Sequence, residues 1–73
     1  MVSKKCELGA ALRRIRSSRN ITQEKAAEAA HTTDRSLRDI ERGKSVPKLV
    51  TFAALCKCYG IALDSLAHLI PGS

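Results

Sequence analysis

Tryptophan is absent from this chain, and one tyrosine and one phenylalanine are its whole aromatic content. With so few rings, the core has to be aliphatic. Proline occurs twice, at 47 and 71, outside every run with helical spacing. No apolar stretch approaches the ~20 residues needed to cross a bilayer. The segment Met1 to Glu7 is polar, without the apolar run of a secretory leader. Cys6, Cys56 and Cys58 are an odd set with no disulfide-framework spacing, which points to reduced thiols in a cytoplasm. Also missing are a serine or cysteine beside an activating base, a glycine-rich phosphate loop and a metal-ligand cluster. The sequence therefore offers no enzyme site, no cofactor and no metal.

What the chain does have is base, unevenly spread. It is 73 residues long, enough for one domain, and 44% apolar, enough for a small folded core. Its net charge is +6, from 13 basic and 7 acidic residues. Only Lys57 and Asp64 lie beyond residue 48, so residues 1–48 carry the whole excess. Clustered base of this kind is an electrostatic footprint for nucleic acid. A membrane surface fits less well, because no helix pairs a basic face with a broad aromatic or leucine face.

The spacing predicts an all-α, compact five-helix domain, with helices over about 5–18, 23–30, 34–42, 48–59 and 63–69. In the first, Leu8, Leu12 and Ile15 form one apolar stripe with Arg13 and Arg14 pointing away. Arg16 lies beside that stripe, and a buried guanidinium needs a carboxylate. Asn20 suits a left-handed stop. Thr22 caps the second helix, and Thr33 caps the third after the turn at His31 and Thr32. Gly43 ends the third helix in the left-handed conformation. In the fourth, Leu49, Phe52, Cys56 and Tyr59 make a core stripe flanked by Ala53 and Leu55. Gly60 ends it, with Ile61 folding back. Leu63, Leu66 and Leu69 or Ile70 follow in the last helix, with His68 on its surface and Pro71 to Ser73 as a frayed end.

The third helix is divided. Leu37 and Ile40 mark an apolar side; opposite them, in one arc, fall Asp34, Arg35, Arg38, Asp39 and Arg42. Arg38 and Arg42, four residues apart, repel each other on an isolated helix. Either this face is solvated, with Asp34 paired to Arg38 and Arg35 to Asp39, or it meets a polyanion.

Thr22-Gln23-Glu24, Ala27, Thr32-Thr33, Leu37, Ile40-Glu41-Arg42-Gly43-Lys44 and Pro47 resemble the helix-turn-helix of the lambda-repressor-like (Xre) family. The likeness continues through Leu49, Thr51, Leu55, Tyr59-Gly60-Ile61, Leu63-Asp64 and Leu66, about residues 8 to 69. It implies a sequence-specific regulator of transcription that places the third helix in the major groove of double-stranded DNA. Thr33, Asp34, Arg35, Arg38 and Asp39 are the implied base contacts, with Arg35 or Arg38 bidentate to guanine and Asp39 accepting from cytosine. Asp34 and Asp39 depart from the family's usual amides and hydroxyls, and either read bases or orient the arginines. Gln23, Arg19, Arg42, Lys44 and Lys48 are the implied phosphate contacts. Arg16 and Glu41 occupy positions the family commonly joins as a structural ion pair. Ala26 and Ala30 stand where leucines are usual, so the helices must close up or a partner must help. A homodimer on a palindrome is also implied, with Ala54, Ala62, Leu66, Leu69 and Ile70 at the neutral C-terminal end as candidates for the interface. Leu66 and Leu69 equally suit closure of the monomer core. A protein-interaction module of the same fold is the alternative function.

Overall fold

The structure, a computed structural model, describes residues 4–67, with side chains from 6 to 66. Five helices follow in order: α1 (Lys4–Ser18), α2 (Gln23–Ala29), α3 (Asp34–Glu41), α4 (Leu49–Tyr59) and α5 (Asp64–Ala67). Each boundary has a local cause. Thr22 and Thr33 adopt extended backbone, and their Oγ1 atoms accept from Lys25 N at 3.1 Å and Ser36 N at 3.0 Å, which satisfies orphan donors of α2 and α3. Asn20 after α1 and His31 after α2 take φ of 57° and 56°, the left-handed conformation that lets the chain reverse. Asn and His are among the non-glycine residue types that most readily take it.

The core takes one stripe from each helix. Leu8 and Leu12 of α1, Ala26, Ala27 and Ala30 at α2, Leu37 and Ile40 of α3, the α4 residues and Leu66 of α5 form a single buried cluster. Both aromatics lie at its centre: Tyr59 and Phe52 are the largest fully buried side chains, so the core is not purely aliphatic. The three alanines are all buried, so α2 brings its backbone to the core where leucines would hold it off.

Two glycines permit close approaches that spacing alone does not reveal. A Cβ on Gly9 would overlap the Ile40 carbonyl oxygen and come within 2.9 Å of that of Glu41, so α1 lies directly against the end of α3. Gly43 has φ 80° and sits against Cys6, where a Cβ would fall 2.6 Å from Sγ.

The α4 stripe differs from expectation. Phe52, Leu55, Cys56 and Tyr59 are buried, whereas Leu49 is 66% exposed and Ala53 is exposed. Leu49 is the first helical residue and stands at the edge of the arc centred on Phe52, so no neighbouring helix covers it. Leu66 is 8% exposed and packs into its own monomer's core, which removes it from the dimer candidates. Ala54 packs partly against the core and Ala62 is exposed. Leu69 and Ile70, with His68 and the last turn of the expected fifth helix, lie outside the described residues.

Candidate nucleic-acid interface

α3 is seated by its apolar side. Leu37 and Ile40 are buried, and Glu41, beside them, is the one buried charged residue among those described. Asp34, Arg35, Ser36, Arg38 and Arg42 are exposed, and Asp39 is half-buried. The N-terminal turn is fixed twice, since Thr33 Oγ1 also donates to Ser36 Oγ at 3.0 Å. At the other end, Lys44 N and Ser45 N donate to the Asp39 carbonyl at 2.8 and 3.3 Å, which holds the loop that carries Lys44 and Lys48.

Glu41 gathers three helices around one carboxylate. Arg16 Nε donates to Glu41 Oε2 at 2.7 Å, and Arg16 Nη2 to Oε1 at 3.2 Å. Gln23 Nε2 donates to the same Oε1 at 3.0 Å. Arg16 Nη1 donates to the Ile21 carbonyl at 2.7 Å, tying in the α1–α2 turn. Hydrogen bonding to Glu41 raises the Arg16 pKa above its already high ordinary value, outweighing the opposing effect of burial. The charge of Arg16 is therefore permanent and internally answered. Gln23, expected at a phosphate, is held by Glu41 and half-exposed at the start of α2.

The outward arginines behave differently. Among the described residues, Arg16–Glu41 is the ion pair, and neither Asp34–Arg38 nor Arg35–Asp39 forms one. The solvated face with internal pairing is thus not the arrangement present. Instead the two edges of α3 face two separate depressions. Arg38 and Arg42 line an open cleft with Arg13 and Arg16, floored by Gln23 and Glu41. Ser36 and Asp39 line the other groove with Pro47, Lys48 and Thr51. Thr33, Asp34 and Arg35 project from the first turn and line neither; Arg19 and Lys44 are exposed outside both. Arg13 is the residue that sequence reasoning passed over. Its signal is its place one turn before Arg16, on the helix that Gly9 presses against α3.

The sequence profile of the helix-turn-helix domain family matches residues 7–69. A search of curated proteins gave no match. Among solved structures, a crystal structure of the clp gene regulator ClgR from Corynebacterium glutamicum superposes with a TM-score of 0.86 at 27% identity, covering 97% of this chain and 76% of that one. A second ClgR structure gives 0.83 at 26% identity, covering 99% and 94%. The restriction-modification controller protein C.AhdI from Aeromonas hydrophila shares the fold, with a TM-score of 0.78 at 24% identity over 84% of this chain and 92% of that one.

Proposed function

Because the chain belongs to the helix-turn-helix domain family, we propose that it is a cytoplasmic DNA-binding regulator of transcription that lays α3 in the major groove of a duplex. The observation that carries this reading is that Arg35 and Arg38 on α3, and Arg42 at its C-cap, are exposed and have no ion-pair partner among the described residues, while the opposite side of the helix is buried. Unanswered guanidinium groups on a rigid, doubly capped helix suit a polyanion with ordered acceptors. The likeness to ClgR, a protein named as a gene regulator, supports the same reading.

In this account Thr33, Asp34, Arg35, Arg38 and Asp39 meet base edges. One arginine is bidentate to guanine O6 and N7, and Asp39 accepts from a cytosine amine. Gln23, Arg19, Arg42, Lys44 and Lys48 grip phosphates and set the register. The regulator acts as a repressor, bound as a homodimer to two half-sites about one helical turn apart. Ala54 and Ala62 remain candidates for the dimer contact, as do Leu69 and Ile70.

Selection of bound sites from a pool of random duplexes tests this. The expected result is an enriched palindromic motif whose recovery is lost in the Arg35→Ala/Arg38→Ala double variant. Recovery of no motif, or of the same motif by the folded double variant, refutes it. A protein-interaction module is the second reading, favoured by the exposure of Val46, Leu49 and Val50. It would bind its partner undiminished when both arginines are removed.

A further inference from the structure

The cleft between α1 and α3 holds more positive charge than the fold requires. Four arginines line it, and its one carboxylate, Glu41, accepts all three of its hydrogen bonds from Arg16 and Gln23. Arg16 is thereby answered, while Arg13, Arg38 and Arg42 are exposed and have no acidic partner among the described residues. Arg38 lies in the last turn of α3, Arg42 is the residue that caps its end, and Arg13 lines the same cleft from α1, so three like charges face one depression. Convergence of unanswered charge costs free energy in the free protein and is relieved when an anion enters. The planar guanidinium forks match the oxygens of a phosphate, which accept several N–H bonds at once. Gln23 adds to the fit, because its Nε2 uses one N–H on Glu41 and keeps the other.

From this we propose that Arg13, Arg38 and Arg42 together form the seat for one backbone phosphate of the bound duplex. Arg13 is then a nucleic-acid contact supplied by α1, outside the helix-turn-helix pair. Arg38 is a backbone clamp and not a reader of bases, which leaves guanine recognition to Arg35. The assignment rests on the DNA-binding reading above and revises it at one position, moving Arg38 from the base edges to the backbone. It also explains why Arg16 must be tied down. A mobile Arg16 would let Glu41 compete with the phosphate for the neighbouring guanidiniums.

The test is a salt titration of binding to mixed-sequence duplexes two helical turns long, for the intact protein and for Arg13→Ala and Arg38→Ala. Each exposed arginine can be removed without touching the core, and circular dichroism checks that the fold is kept. The expected result is a several-fold fall in affinity in each variant, equal on every duplex, with less than about one unit lost from the log–log salt slope, because the two remaining arginines still hold the same phosphate. Unchanged affinity in Arg13→Ala at every salt concentration overturns the seat. For Arg38→Ala, a loss confined to duplexes differing at one base pair restores that residue to base reading and overturns its part of the seat. A second arm uses inorganic pyrophosphate alone at fixed ionic strength, read as the shift in Tm. Stabilisation of the intact protein but not of Arg13→Ala supports the cleft independently of DNA. If the intact protein binds no duplex, the regulator reading fails. The cleft then stands only on the pyrophosphate shift, with a free phosphate compound as its ligand, and falls if that shift is also absent.

Discussion

The α2–α3 pair and α4 are held in place by different means. α2 contributes nothing larger than alanine to the core, and α3 only Leu37 and Ile40. Their positions are specified by polar chemistry: two threonine caps, the Gly43 turn, and a carboxylate that joins α3 to Arg16 and Gln23. α4 is the reverse. Its N-cap residue, Lys48, makes no side-chain cap bond, and it supplies Phe52, Leu55 and Tyr59, three of the six largest fully buried side chains. One half is oriented by directional bonds and the other anchored by volume. The face that would read a duplex is on the oriented half, where a small angular error displaces every outward arginine.

This contrast can be broken from either side. Phe52→Ala should cost most, about 3–5 kcal/mol from lost burial and the cavity left behind, read as a fall in the urea midpoint. In a domain of this size, that is a large part of the total stability. Little change would mean that volume does not anchor α4. Glu41→Ala strikes the oriented half. It leaves the Arg16 guanidinium, whose side chain is only 12% exposed, without a carboxylate, and should cost about 3 kcal/mol. Any duplex binding should fall by more than this loss of folded protein explains, because Gln23 is released as well. Gly9→Ala comes next. Alanine is the better helix former by about 1 kcal/mol, but here its methyl group meets the Ile40 carbonyl. A net loss of about 1–3 kcal/mol is expected as α1 is pushed off α3, and a gain would show that the contact yields freely.

Much of this was legible before the fold was known, for identifiable reasons. The helices followed from period and from capping residues, because Thr22, Thr33, Gly43 and Gly60 act within their own turn. The division of α3 followed from its wheel. What escaped depended on contacts distant in sequence. Leu49 has the right period but the wrong neighbour, since helical spacing does not say where a neighbouring helix stops covering a stripe. Gly9 carries no signal in the helical period, because the carbonyls of Ile40 and Glu41 that it lies against are more than thirty residues away. Arg13 looked merely solvated because the cleft it lines is made by three segments, none of which contains the whole of it.

Thr33→Ala is the milder test of the oriented half. Losing the bonds to Ser36 N and Ser36 Oγ should cost about 1 kcal/mol, and Thr33→Ser should restore most of it. If serine rescues stability but not duplex affinity, the threonine methyl group is what touches the DNA.

The smallest effect at neutral pH belongs to Tyr59, and its sign is informative. Its hydroxyl is buried in the anchored half without a hydrogen-bond partner among the described residues. Tyr59→Phe should therefore be nearly neutral or slightly stabilising at pH 7. Burial, aided by nearby Glu41 and opposed by Arg16, pushes the phenol well above its ordinary range. The native state thus keeps a proton that the unfolded chain gives up above about pH 10. Below that pH both states hold it, and its contribution is fully present; as pH rises further, the unfolded state binds fewer protons and stability declines. Burial also raises the Cys56 thiol, which adds a decline beginning at lower pH that Tyr59→Phe leaves in place. Since Tyr59 is the sole tyrosine and tryptophan is absent, tyrosinate absorbance reports this one group. In an alkaline titration the absorbance should rise together with the loss of helical circular dichroism, and Tyr59→Phe should flatten the part of the decline above about pH 10. A tyrosinate signal that appears near pH 10 while the helices persist would show the hydroxyl to be open to water, and would remove Tyr59 from the volume that anchors α4.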